Sequence, residues 1–209
     1  DHIRGLHEPL RLGQVADFIR RIETLPALPE TVAQVRDAMN DPMVSVPAVV
    51  DIITLDPPIA AKVLSVANSA AYGFSHRIHE LNLAVSLLGL RETYSIVLSA
   101  AIVDLLNKFR NFDYRTFFLE AISCATASRI VGRAAGRRNV PGIFSAGLLH
   151  DIGRAALWEV VPDLARKVQP GLHGPELCHA EEAVMGISHA EAGYLLATHW
   201  NLPEDIATA

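Results

Sequence analysis

The chain has 209 residues, of which 50% are apolar and 20% charged, and its formal net charge is −5 at pH 7. This length and apolar content are enough to bury the core of one large domain or two small ones. The acidic balance argues against a nucleic-acid-binding protein, which usually carries a basic excess. The two cysteines, Cys124 and Cys178, lack the spacing of a zinc cage or a disulfide framework, so a reducing cytoplasm is the expected compartment.

The sequence contains no segment that we expect to enter a membrane. The N-terminal residues form no apolar stretch of the signal-peptide type. The most apolar segment surrounds residues 96–102, but Asp104 interrupts it and it is too short to span a bilayer. We therefore expect a soluble protein.

Apolar residues recur at three- and four-residue spacing along almost the whole chain, which predicts an all-helical protein. Prolines, glycines and capping residues mark where the helices begin and end. The predicted helices, in chain order, are Gln14 to about Thr24, Glu30 to Met39, Val46 to Leu55, a helix capped by Asp56 that ends at Asn68, Leu81 to Leu88, Arg91 to Leu106, Tyr114 to Ala135, Ile143 to Ile152 with Gly153 as its end, Arg154 to Val161, Glu176 to Met185 and His189 to Trp200.

The segments between these helices are interpreted from their composition. Residues 139–142 combine proline and glycine and predict a turn. Residues 1–13 show no periodicity and are interpreted as an N-terminal linker or extension. A composition shift at residues 107–113 predicts a seam between an N-terminal helical part, about residues 14–107, and a C-terminal part, about residues 108–209.

The motif with the clearest chemistry is Gly147-Leu148-Leu149-His150-Asp151-Ile152-Gly153. A histidine beside an aspartate at a helix end offers one nitrogen and one oxygen ligand to a divalent metal. The alternative, which we favour, is a buried hydrogen-bonded pair that ties two helices together.

Other candidate residues have simpler interpretations. His76 and His79 lie three residues apart in a polar loop, but only Glu80 joins them, so we interpret both as loop residues. Trp158 and Trp200 are interpreted as core anchors. The sequence carries no phosphate-binding glycine loop and no nucleophile elbow.

The motif around His150 and Asp151 resembles the signature of the HD superfamily of metal-dependent phosphohydrolases. From about Leu25 to its end, the chain is similar to the HDOD branch of that superfamily. The motifs that carry this similarity, in chain order, are Leu25-Pro26-Ala27-Leu28-Pro29; Asp56-Pro57 with Leu64; Ala67-Asn68-Ser69-Ala70-Ala71-Tyr72; Ile78, Ala84 and Leu87-Leu88-Gly89; Phe144 to Gly153; and Glu182, Gly186, His189, Gly193, Leu196, Trp200 and Leu202-Pro203.

The resemblance implies an all-α fold, an HD-like multi-helix bundle in two packed helical subdomains, with residues 14–209 forming the HDOD domain. The family pattern continues past Ala209, so we expect the domain to be truncated here. Members of the family are mostly bacterial signalling proteins and often sit beside receiver or cyclic-nucleotide-turnover domains.

The resemblance also implies a degenerate metal site. His150, Asp151 and His189 are the remnant candidates for metal ligands, although His189 is equally placed to begin the helix that follows Ser188, a good N-cap. Active relatives supply a further histidine from the preceding long helix, and Ile122 or Ser123 stands about where that residue is expected.

Two more positions bear on whether the remnant site retains activity. Active cyclic-dinucleotide phosphodiesterases carry a lysine where this chain has Arg154, and the two cations are not equivalent. Glu120 lies less than one helical turn from the vacant histidine position and is a candidate substitute ligand.

The sequence therefore predicts a non-catalytic bacterial regulatory module that contacts signalling proteins or neighbouring domains. We expect no cofactor, apart from the option of a divalent metal at the remnant site. Two alternatives stay open: a metal-dependent nucleotide phosphohydrolase or cyclic-dinucleotide phosphodiesterase, and a nucleotide sensor without turnover that uses Arg154 and the remnant pocket. The oligomeric state is not predicted.

Overall fold

The computed structural model describes residue 13 and residues 15–109, 112–137 and 140–209. All regular elements in these ranges are helices, which confirms the predicted all-α class. They are α1 (residues 15–22), α2 (Glu30–Met39), α3 (Val46–Thr54), α4 (Pro57–Ala67), α5 (Leu81–Leu88), α6 (Leu90–Leu106), α7 (Tyr114–Ala134), α8 (Val140–Leu149), α9 (Ile152–Val160), α10 (Pro162–Ala165), α11 (Gly174–Met185), α12 (His189–His199) and α13 (Glu204–Ala207). The predicted linker at residues 1–13 lies outside the described residues except for Gly13.

The chain divides into two compact units. Unit 1 contains the described residues up to Ala27, residues 106–128 and residues 146–209; unit 2 contains residues 28–105 and 129–145. Along the sequence, one change from unit 2 to unit 1 falls between Leu105 and Leu106, next to the predicted seam at residues 107–113. The predicted subdomain limits of about 14–107 and 108–209 stay a prediction.

Unit 2 begins with helices whose ends are set by local capping. Ser45 caps α3 by accepting from the Ala48 backbone nitrogen, and Pro47 lies in the first turn, where no donor is lost. Asp56 caps α4 by accepting from the Ile59 nitrogen at 3.2 Å, and it also accepts from the Thr31 hydroxyl at 3.1 Å. The cap of α4 is thus bonded to α2, so one carboxylate organises two helices.

The core of unit 2 consists of the apolar faces that the helical spacing predicted. Helix α2 packs against α3, and α3 and α4 both pack against α5. Side chains with no exposed surface come from each of these four helices: Val35, Val49, Ile53, Val63, Val85 and Ala84. Burial of branched apolar side chains is the main stabilising term for helices of this length.

In unit 1 the predicted end of a helix at Gly153 is wrong. Helix α8 ends at Leu149 and α9 begins at Ile152, so Gly153 lies inside α9. A Cβ atom at Gly153 would overlap the carbonyl oxygen of His189 and the backbone nitrogen of Gly193, both on α12. The glycine is therefore required by the close approach of α9 and α12, and not by a helix end.

The turn predicted at residues 139–142 is also wrong for its described part, because α8 begins at Val140. Pro141 lies in the first turn of this helix, where the missing N–H has no intrahelical partner to lose. The same effect explains α10, a short helix that begins at Pro162 where the sequence predicted only a stop.

Trp200 is a core anchor, as predicted, with 7% of its surface exposed, and its indole nitrogen donates to the Pro26 carbonyl at 3.2 Å. We expect Trp200→Phe to lower the free energy of unfolding by about 2 kcal/mol, because the Pro26 carbonyl loses its donor and the smaller ring leaves a cavity. Urea unfolding measures this change. Trp158 is only partly buried, so an equal or larger loss in Trp158→Phe would contradict the prediction.

Within the described residues, no single helix is long and apolar enough to cross a bilayer. Helices α5 and α6 together meet that criterion of length and composition, but the chain bends by 111° between them.

Candidate functional site

The three predicted metal-ligand candidates lie together in unit 1. His150 and Asp151 occupy the turn between α8 and α9, and His189 is the first residue of α12. The close packing of α9 on α12 places Asp151 Oδ1 at 3.7 Å from His189 Nε2. Asp151 Oδ2 lies 3.8 Å from His150 Nε2.

The favoured interpretation of His150 and Asp151 as a buried, mutually hydrogen-bonded pair is wrong. Their 3.8 Å separation is too long for a hydrogen bond, and the His150 side chain is 35% exposed. The other ring nitrogen of His150, Nδ1, lies 3.0 Å from the carbonyl oxygen of Gly147, within α8. The His150 side chain is thus neither buried nor hydrogen-bonded to Asp151, and Asp151 is only partly buried.

The close partner of Asp151 is Arg154, one helical turn further along α9. Arg154 Nη1 lies 3.3 Å from Asp151 Oδ2 and 3.4 Å from Glu120 Oε2 on α7. The guanidinium group therefore bridges two carboxylates that come from different helices. Glu120, predicted as a substitute metal ligand, contacts this cation.

The other two candidates at the vacant histidine position on α7 supply no free ligand atom. Ile122 carries no donor atom, and 49% of its surface is exposed. The Ser123 hydroxyl donates to the Leu119 carbonyl at 2.7 Å, within its own helix. This back-bonding is the usual use of a serine inside a helix.

His189 begins α12 as predicted. Ser188 and Glu191 form a capping box, in which the Ser188 hydroxyl accepts from the Glu191 nitrogen at 3.3 Å and Glu191 accepts from the Ser188 nitrogen at 3.1 Å. The backbone of His189 begins α12 after the Ser188 cap, and its ring lies beside Asp151. The two placements do not exclude each other, because they use different parts of the residue.

The His189 ring is held by a buried carboxylate that the sequence interpretation missed. Glu181 is 5% exposed, and its Oε2 accepts from the His189 backbone nitrogen at 2.7 Å and lies 2.5 Å from His189 Nδ1. The hydrogen bond with Glu181 raises the pKa of His189 above its ordinary value of 6.5, while burial opposes the shift. The charge of Asp151 adds to the increase.

A signal for Glu181 was present in the sequence. Leu177, Glu181 and Met185 follow at four-residue spacing and so share the face of α11 that ends in a buried methionine. An acid on an apolar face needs a partner. The family motif contains the neighbouring Glu182 instead, and the described structure shows no hydrogen bond between Glu182 and His189.

Cys178 completes the surroundings of His189. Its Sγ lies 3.9 Å from His189 Nε2, and the ligand atoms of Cys178, Glu181 and His189 all lie within 4.8 Å of one another. Burial raises the pKa of the Cys178 thiol, and the charges of Glu181 and Glu182 raise it further. The raised pKa keeps the metal-free thiol protonated at neutral pH, which makes it a poor nucleophile.

The contacts of the candidate ligands show whether they could hold the divalent metal of HD phosphohydrolases. Asp151 shares one carboxylate oxygen with Arg154, Glu120 contacts the same guanidinium, and α7 supplies an isoleucine and an internally bonded serine. A hydrolytic centre needs several convergent ligands and an open position for water. The donor set does not fit such a centre, and metal binding by His150, Asp151 and His189 stays a prediction.

The family comparison and the structural comparison agree with each other. A family model described as the HDOD domain matches residues 25–209. The crystal structure of an HDOD domain protein of unknown function from Geobacter sulfurreducens is similar, with 28% identity, a TM-score of 0.75, and coverage of 95% of this chain and 68% of that chain.

Two further proteins are similar. A candidate phosphohydrolase from Shewanella amazonensis SB2B has 26% identity, a TM-score of 0.75, and coverage of 92% of this chain and 69% of its own. An uncharacterised protein from Treponema pallidum (strain Nichols) is 27% identical over an alignment of 203 residues, which covers 91% of this chain. The chain spans only 38% of the length of that curated relative.

Proposed function

The chain belongs to the HDOD domain family, and on that premise we propose that it is a regulatory module that acts through contacts with other proteins or domains and does not hydrolyse phosphate esters. The observation that carries the proposal is the Arg154 guanidinium group, which bridges Asp151 and Glu120 at 3.3 and 3.4 Å.

Arg154 pairs with Asp151 and Glu120, and its planar guanidinium group is not equivalent to the lysine that active cyclic-dinucleotide phosphodiesterases carry at this position. An arginine is permanently protonated, so a divalent ion at Asp151 would have to displace this group or lie beside it. Two like charges a few ångströms apart repel strongly in a partly buried site. The arrangement favours an ion-pair cluster over a metal centre.

The proposed partners are signalling proteins or neighbouring domains of the same chain. The match to only 38% of the Treponema pallidum relative supports this, because the module there is one part of a longer protein. On the unit 1 part of α7, Leu119 is 70% exposed and Ile122 is 49% exposed, three residues apart. Exposed apolar side chains that share a helix face are typical of contact surfaces.

The absence of hydrolysis is tested with metal-loaded protein. After chelation and reloading with Mn²⁺ or Fe²⁺, we expect the wild-type protein to hydrolyse bis(p-nitrophenyl) phosphate and cyclic di-GMP no faster than Asp151→Ala. The reason is the incomplete donor set around Asp151. Elemental analysis of both proteins gives the bound metal, and a wild-type rate that Asp151→Ala abolishes would overturn the proposal.

The regulatory half of the proposal is tested by binding. Calorimetry with a receiver domain and a cyclic-dinucleotide cyclase domain from the same genome measures affinity for wild type, Leu119→Asp and Leu55→Asp. Leu55 is 80% exposed but lies on unit 2, so it is a matched control. We expect only Leu119→Asp to weaken binding, by about tenfold or more. An equal loss in both variants, or no binding by either domain, would contradict this surface.

A nucleotide sensor without turnover is the second candidate, favoured by a cavity of about 390 Å³ in unit 1. Arg154, Trp158 and Arg166 line it together with Gln169, Glu181 and apolar side chains. Arginine and tryptophan are suited to a phosphate and a base. Nucleotide binding that Arg154→Ala and Trp158→Ala abolish, without turnover, would support this alternative.

A further inference from the structure

Unit 2 contains a cavity that neither the HD-type site nor the proposed contact surface uses. It has a volume of about 820 Å³ and lies between the C-terminal half of α4 and the loop at residues 68–80. Ligand-binding cavities in proteins have volumes of roughly 300–1,000 Å³. The space is therefore large enough for a small organic ligand.

The charge of its lining is unusual for this chain. Among the described residues that line the cavity, Arg77, His76 and His79 are basic and none is acidic. The chain as a whole carries a net charge of −5. A concave basic surface in an acidic protein attracts anions selectively, because the surrounding negative charge repels them elsewhere.

The loop that forms one wall is held by the side chain of Asn68. Its Nδ2 donates to the Ile78 carbonyl at 2.8 Å, and its Oδ1 accepts from the Ile78 nitrogen at 2.8 Å. These two bonds close the loop at its ends. The same Nδ2 also donates to the Leu64 carbonyl at 2.8 Å, which engages one of the partially negative carbonyls at the end of α4.

An aromatic ring forms another part of the lining. Phe74 lines the cavity and is 36% exposed, and its ring stacks on Tyr72 with centroids 6.1 Å apart and an interplanar angle of 15°. The Tyr72 hydroxyl donates to Glu92 on α6. Burial and the bond to Glu92 raise the pKa of Tyr72, so the hydroxyl keeps its proton and the aromatic pair stays anchored.

We propose that this cavity binds a small phosphorylated ligand with a flat ring, the size of a nucleoside monophosphate. Arg77 is the permanent cation for the phosphate, and His76 and His79 add N–H donors. Phe74 offers a face on which the ring stacks. The serine hydroxyls of Ser65, Ser69 and Ser75 also line the cavity and supply further donors. The inference goes beyond the regulatory proposal, because it gives the module a ligand of its own at a site independent of Arg154.

Calorimetry at low and high salt tests this with six probes: AMP, GMP, CMP, UMP, adenosine as a ligand without phosphate, and inorganic phosphate as a ligand without a ring. We expect at least one monophosphate to bind, and Arg77→Ala to weaken it by about tenfold or more. High salt should weaken the monophosphate, whereas adenosine should bind weakly at any salt concentration. Phe74→Ala should weaken the monophosphate as well, whereas inorganic phosphate should bind wild type and Phe74→Ala equally.

Arg20→Ala is the charge-matched control, because the Arg20 side chain is 73% exposed in unit 1 and contacts only Asp17 in the described structure. We expect it to bind like wild type, and thermal unfolding verifies that each variant is folded. Binding of none of the four monophosphates would overturn the proposal. So would binding that is unaffected by Arg77→Ala, or that is lost in Arg154→Ala instead, which would place the nucleotide in the unit 1 cavity.

Discussion

Replacing Gly153 with alanine will lower the free energy of unfolding by about 3 kcal/mol or more. The added methyl group would overlap the carbonyl oxygen of His189 and the backbone nitrogen of Gly193. Both atoms belong to the backbone of α12, so no side-chain rotation relieves the overlap. Helices α9 and α12 must separate, and the contacts of Asp151 with His189 will be lost together with buried apolar surface. Urea unfolding followed by circular dichroism measures the change.

Gly193→Ala is the matched control for this prediction, because it places the same methyl group on the opposite helix. Its Cβ would lie 3.3 Å from the Gly153 nitrogen and 3.6 Å from the Gly153 Cα, which small shifts can accommodate. Alanine is also the better helix former by about 1 kcal/mol, which offsets part of the cost in both variants. Equal losses of stability in Gly153→Ala and Gly193→Ala would show that the helices do not approach as described.

Glu181→Gln will lower the free energy of unfolding by about 2 kcal/mol in mildly acidic solution, and by less as the pH rises. The hydrogen bond with Glu181 raises the pKa of folded His189 above its ordinary value of 6.5. A histidine with a raised folded pKa contributes stability that is complete below its unfolded pKa. That stability is lost as the pH increases through the folded pKa. The wild-type and variant curves should therefore converge above the raised pKa of His189.

The measurement is urea unfolding of metal-free protein, in the presence of a chelator, at several values between about pH 6 and pH 9. Glu182→Gln serves as the control, since it removes one charge from the same helix and leaves the hydrogen bonds of Glu181 to His189 intact. We expect its difference from wild type to vary little with pH. Nuclear magnetic resonance titration of His189 should give a lower pKa in Glu181→Gln. Parallel stability curves for wild type and Glu181→Gln would refute the coupling.

Short-range signals in the sequence predicted most of the helices and the family resemblance. The observed bounds of α2 and α5 are those predicted, and Ser188 caps α12 as expected. These features depend on caps, breakers and periodicity within one or two turns, where the physical cause lies in neighbouring residues. The metal-ligand candidates His150, Asp151 and His189 also lie close together, as the family resemblance implied.

What the sequence by itself determined is therefore the all-helical class, most helix limits and part of the candidate site, without Glu181 and Cys178. Tertiary structure alone decided which residues of that site contact one another. Arg154 contacts Glu120 across 34 positions of sequence, and Glu181 bonds His189 across 8. No local pattern specifies such partners, because they depend on which helix faces meet and how closely. The role of Gly153 also depends on tertiary structure. A glycine after an apolar run indicates a helix end from local sequence, but Gly153 lies inside α9, where the close approach of the α12 backbone leaves no room for a side chain.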